Sequence, residues 1–150
     1  MTEIACDKRY KRYGLIKSAG IMGLAFFMLV SIASAAPYAY ISNAADGTVS
    51  VINTATDTVI TNVLVGGSPQ GIAVSPDSTK VYVANSNSNI VSVIDTATST
   101  VITTLSTEGT PQRVAVTPDG NRLYVVNSGS DNVAVIDTIT NQIIATISLI

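Results

Sequence analysis

The chain of 150 residues contains no histidine and no tryptophan. Its single cysteine is Cys6, and it has only two phenylalanines. Without histidine it lacks the commonest general base and the commonest protein ligand of catalytic metals. One cysteine excludes an intramolecular disulfide. Charge is also scarce, at 12% of residues, whereas 47% are hydrophobic. Disorder is excluded by that balance, because so apolar a chain can bury enough surface to offset its ordering entropy.

The few charges are unevenly placed. Five of the eight basic residues, Lys8, Arg9, Lys11, Arg12 and Lys17, precede an apolar run from Ala19 through Ala33. Small residues follow in Ala33-Ser34-Ala35-Ala36, before Pro37. A basic segment, an apolar segment and an A-x-A box form the pattern of a secretory signal peptide, with cleavage expected after Ala35 or Ala36. The division expected is therefore 1–35, a signal helix, and 36–150, the exported domain. An uncleaved anchor is the alternative, since the apolar stretch nears membrane-spanning length. That segment is then the chain's one membrane contact. In either case the basic end stays cytoplasmic. Cys6 precedes the apolar run, so it is not a lipid-attachment cysteine. Beyond Ala35, Lys80, Arg113 and Arg122 face eight acidic residues. This acidic balance does not suit nucleic acid, whose binding is led by Lys and Arg contacts to phosphate.

The exported part repeats itself. Tyr40, Tyr82 and Tyr124 are spaced 42 residues apart, as are Asn43, Asn85 and Asn127. Val49-Ser50-Val51-Ile52 recurs as Val91-Ser92-Val93-Ile94 and Val133-Ala134-Val135-Ile136. Pro69-Gln70 matches Pro111-Gln112, and Pro76-Asp77 matches Pro118-Asp119. The copies are 39–80, 81–122 and 123–150. Each reads as short β-branched runs broken by Pro, Asp, Gly, Asn and Ser, so the class is all-β. In the second copy the strands are expected at Val81–Ala84, Ile90–Ile94, Thr100–Leu105 and Arg113–Thr117. They are apolar on both faces, as stacked propeller blades require. A period near 40 residues with four antiparallel strands points to a β-propeller rather than a β-solenoid.

Lys80-Val81-Tyr82-Val83-Ala84-Asn85, Val93-Ile94-Asp95-Thr96 and Pro118-Asp119-Gly120 resemble the YVTN family of β-propeller repeats. The resemblance runs from about Tyr38 to the C-terminus. It implies a ring of four-stranded blades, commonly seven, in exported proteins often described as surface-layer or surface-antigen-like. It implies no shared catalytic residues.

The strand count does not close a ring. With strands labelled A to D from the centre outward, the repeats supply B, C and D, then two full sets, eleven in all. The first blade is expected to lack strand A, because the signal segment occupies its place. About three blades fall short of the smallest ring of about four. A truncated reading frame, a ring shared between copies and an open stack are the three explanations. Open blade faces also make self-association a candidate partnership.

Antiparallel strands put the A–B and C–D turns on one face and the B–C and D–A loops on the other. The first set hardly varies. The B–C loops Ala44–Gly47, Ser86–Asn89 and Ser128–Asp131 differ completely. Variable loops on a rigid scaffold mark a contact face, although neutral drift in solvated loops is the simpler reading. Its candidate residues are Asp46, Asn87, Asn89 and Asp131, with Glu108 and Arg113 by the central channel. Glu108 and Arg113 could take a charged ligand, although a surface ion pair is the simpler reading. Asp46, Asn87, Asn89 and Asp131 carry oxygens suited to Ca²⁺ but lack the dense spacing of a calcium loop, so turn chemistry is preferred. The three tyrosines read as packing residues. No motif for a cofactor, metal or nucleophile appears. The expected function is a noncatalytic surface or adhesion module whose partners are proteins or envelope components. A fragment of a quinoprotein- or lactonase-like propeller is the alternative.

Overall fold

A computed structural model describes residues 4–6 and 37–149. Its strands are β1 (Ile4–Cys6), β2 (Tyr38–Asn43), β3 (Thr48–Asn53), β4 (Thr58–Leu64), β5 (Pro69–Val74) and β6 (Lys80–Asn85). They continue with β7 (Ile90–Asp95), β8 (Thr100–Ser106), β9 (Pro111–Val116), β10 (Arg122–Asn127), β11 (Asn132–Asp137) and β12 (Gln142–Ser148). They form three antiparallel four-stranded sheets, β1–β4, β5–β8 and β9–β12, here blades I, II and III. No helix occurs among the described residues. The expected signal helix and membrane anchor lie outside them.

Strand β1 corrects one expectation. The first blade does not lack its inner strand: Ile4–Cys6 pairs with β2, Ile4 opposite Ile41 and Cys6 opposite Ala39. The register matches blade III, where Val114 pairs Val125 and Val116 pairs Leu123. The described strands therefore number twelve, not eleven. A signal was present in the sequence. Ile4-Ala5-Cys6 has the pattern of Ile72-Ala73-Val74 and Val114-Ala115-Val116. The apolar run between it and β2 hid the match.

Each C–D pair is bulged at the same place, after Val51, Val93 and Val135. Positive φ also recurs by repeat position, at Gly47, Asn89 and Asp131 and again at Asp57, Ser99 and Asn141. Asn and Asp accept this conformation better than other non-glycine residues. The turns thus keep one backbone shape while their side chains change.

Two apolar seams join the blades. Tyr40, Val49, Val51 and Val63 of blade I pack on Val81, Val83 and Ile94 of blade II. Tyr82, Val91, Val93 and Leu105 of blade II pack on Leu123, Val125 and Ile136 of blade III. Alternating residues of β6 therefore serve different seams, which is why this strand is apolar on both sides. Polar groups cross the first seam as well: the Ser92 hydroxyl donates to the Val65 carbonyl at 2.6 Å. The inner strands come closest of all. A Cβ added at Gly71 would lie 2.6 Å from the Gln112 carbonyl oxygen. Glycine at 71 lets β5 approach β9 to that distance.

Candidate functional site

The two ends of the blades are built differently. On the A–B/C–D end, side chains and backbone both repeat. Thr54, Thr96 and Thr138 each donate a hydroxyl to a carbonyl across to the neighbouring turn or segment, those of Pro37, Ser78 and Gly120. Asp95 and Asp137 each accept two backbone N–H bonds and one threonine hydroxyl within their own turns. Those donors hold both carboxyls below the ordinary carboxylate range, led by the backbone bonds from Thr98 and Thr140. Asp119 is lowered in the same way, led by the Thr117 hydroxyl.

On the B–C/D–A end the backbone repeats and the side chains do not. The carbonyls of Gly47, Asn89 and Asp131 accept the amides of Val65, Thr107 and Leu149 in turn. These bonds tie every B–C loop to the end of its own outer strand. Further bonds tie it to the D–A loop before it: Ser86 donates to the Ser68 carbonyl, and Ser128 to that of Thr110. The three loops thus form one hydrogen-bonded rim.

The six candidate residues divide within this rim. Asn89 is a structural pin, its Oδ1 accepting the Thr110 amide at 2.7 Å. Asp131 occupies the same left-handed position one repeat later. Both are turn residues, as preferred from the sequence. Asp46 and Asn87 are exposed and project from the loops. Glu108 is exposed in the D–A loop, its carbonyl held by the Ser130 hydroxyl at 2.7 Å. Arg113 is exposed on inner strand β9, at the repeat position of Gly71.

Sequence reasoning missed a recess on the opposite end. A cavity of about 590 Å³ opens between blades II and III, lined by Asp77, Lys80, Tyr82, Asp119, Asn121 and Thr138 among others. Desolvation pushes the Tyr82 hydroxyl above its ordinary value, with the Asp77 charge adding to it and a hydrogen bond to Thr138 opposing it. Chemically the recess is committed to structure. Asp77 accepts bonds from Ser75 and Thr79, and Asp119 from Thr117 and Asn121. The repeated turn residues that line it carry no signal of a cavity, because it is shared between equivalent turns of two blades 42 residues apart in the chain. Among the described residues no three His, Cys, Asp or Glu side chains converge as a metal site.

Three stacked, radially arranged antiparallel sheets define a partial β-propeller. The chain belongs to the YNCE-like beta-propeller family, whose profile matches residues 12–107. Among solved structures it is similar to Kuenenia stuttgartiensis hydrazine synthase, with 31% identity and a TM-score of 0.71 over 73% of this chain. It is also similar to the dihydro-heme d1 dehydrogenase NirN in complex with DHE, with 20% identity and a TM-score of 0.64 over 72% of this chain. The second likeness concerns fold alone. The chain spans 32% of the first of these proteins and 23% of the second. No curated protein matches it.

Proposed function

We propose that this chain is an exported, noncatalytic propeller module of the cell surface or envelope. It binds protein or envelope components through the B–C/D–A rim. One observation carries the reading: on that rim a repeated backbone presents unlike side chains, whereas the other end repeats both. Packing constrains the backbone of a blade, so divergence confined to projecting side chains is the pattern of a binding surface on a rigid scaffold. Asp46, Asn87, Glu108 and Arg113 are its exposed polar contacts. The basic leader and A-x-A box support export, and cleavage after Ala35 or Ala36 would take β1 away from blade I.

The test is retention on the envelope. A variant combining Asp46→Ala, Asn87→Ala and Glu108→Ala should melt like the parent, since all three side chains are exposed. It should bind isolated cell envelopes at least tenfold less well. Unchanged retention would remove the rim from the proposal, and recovery in the cytosol would remove export.

A second reading is favoured by the likeness to hydrazine synthase. In it the chain is part of an enzyme or cofactor-binding propeller. Without histidine such a site has to draw on Asp, Glu, Tyr and Lys. A lactone-hydrolysing activity of the purified chain that disappears with chelator would favour it over the surface module.

A further inference from the structure

The outer strand of each blade carries one residue more than its ladder uses. In blade I, Val51 lies opposite Thr61 and Ile52 opposite Val59, so Ile60 has no residue opposite it. Ile102 is passed over in the same way between Val101 and Thr103, and Ile144 between Ile143 and Ala145. The extra residue is thus isoleucine in all three blades. It is 52% exposed at 60, 52% at 102 and 51% at 144. Those equal values set it apart from the seam residues. Blade II is packed on both faces, yet it exposes its isoleucine as much as its neighbours do.

The seams do not need the extra residue. In blade II, Val101 packs on the first seam and Leu105 on the second. Each shares a face with its ladder partner, Ile94 for Val101 and Val91 for Leu105. Without Ile102, the remaining residues of β8 could keep the same partners in β7, and successive side chains would alternate without a break. What the insertion changes is the edge. Strands β4, β8 and β12 each end their sheet, with one side unpaired among the described residues. Such an edge presents N–H and C=O groups that can template a strand of another molecule, and proteins guard it with charge, proline or bulges. Thr58–Leu64, Thr100–Ser106 and Gln142–Ser148 contain no charged residue and no proline. They are rich in Thr, Val and Ile, a composition that favours pairing between molecules. Of those three guards the bulge alone is present. It breaks the regular edge and raises the local twist.

We propose that the bulges at Ile60, Ile102 and Ile144 keep the perimeter of the propeller from pairing edge to edge with other molecules. This goes beyond the proposed envelope role and does not depend on it. It concerns the outer edge of each blade, so it holds for any number of blades and without β1.

Deleting Ile102 from the full chain tests this. The variant keeps its ladder partners, so it should retain the far-UV spectrum and the cooperative melt of the parent. Its edge is regular, so it should form thioflavin-binding aggregates about tenfold faster than the parent or more. Adding Thr104→Lys, at an exposed position of the same strand, puts a charge on the edge and should return the rate to that of the parent. A folded deletion variant that aggregates no faster than the parent overturns the proposal. So does rapid aggregation that Thr104→Lys leaves unchanged, because the edge is then not the route. Ile60 is deleted instead if blade II does not tolerate the change. Loss of the cooperative melt in both variants also overturns the proposal, since the blade itself then needs the extra residue.

Discussion

Leu105 of blade II and Ile147 of blade III stand at the same place in successive repeats, and the second is roughly eight times as exposed. Leu105 is covered by blade III, whereas nothing among the described residues covers Ile147. The same contrast runs through the leading faces, where Val81, Val83 and Ile94 are fully buried and Ala39, Ile41 and Ile52 half-buried. Among the described residues, blade II is thus the only blade buried on both sides. A repeat cannot bury its apolar faces alone, and its stability is largely the sum of its contacts with neighbours. Identical chemistry therefore has a different energetic value in each blade, set by what lies beside it.

The largest expected effect breaks that comparison directly. Leu105→Ala should cost about 2–5 kcal/mol of unfolding free energy in urea, as for a truncated core side chain. Ile147→Ala, measured in dilute solution, should stay within about 0.5 kcal/mol, as at exposed sites. Equal losses would mean that blade III is covered in solution.

Close approach of the inner strands gives the next effect. Gly71→Ala places a Cβ against the Gln112 carbonyl, and should destabilise by about 1–3 kcal/mol, the usual cost of overpacking. Arg113→Ala, at the same repeat position but exposed, should cost no more than about 1 kcal/mol, the upper end for a surface contact. A smaller loss is expected from Tyr82→Phe, which removes a desolvated hydroxyl beside Thr138 at the second seam. About 0.5–1.5 kcal/mol is typical of one hydrogen bond, and Tyr124→Phe should cost less. If Tyr124→Phe costs as much, its hydroxyl has a partner of its own.

Acid titration gives the smallest effect. Asp137 has a lowered folded pKa. Its contribution is fully present above the ordinary carboxylate range and is lost as pH falls through the folded value. Asn53 occupies the same position in blade I and caps its turn through Oδ1, which accepts the Ala55 amide at 2.8 Å. Asp137→Asn should therefore keep the turn at neutral pH and flatten the fall in stability below about pH 4. A steep fall that persists in this variant would assign it to other carboxylates, Asp95 and Asp119 first.

Much of this architecture was legible in the sequence. The strand boundaries in the second repeat fall within two residues of those expected, since β-branched runs between turn residues leave few alternatives. The assignment of turns to ends also held, because it follows from antiparallel order. Strand β1 was not legible as read, for a long apolar segment separates Ile4–Cys6 from the strand it pairs with. Nor was the division of the rim. The loops looked wholly unlike by residue, but Gly47, Asn89 and Asp131 share one backbone state, and Asn89 also holds the Thr110 amide.

The sequence by itself determined the repeat, the strands and the turn chemistry, all of which are local and recur every 42 residues. The tertiary structure alone decided which copies of each apolar residue are buried, that Gly71 lies against a neighbouring backbone, and where the inter-blade recess opens. Burial depends on what packs beside a blade, and a periodic sequence is nearly the same at every blade.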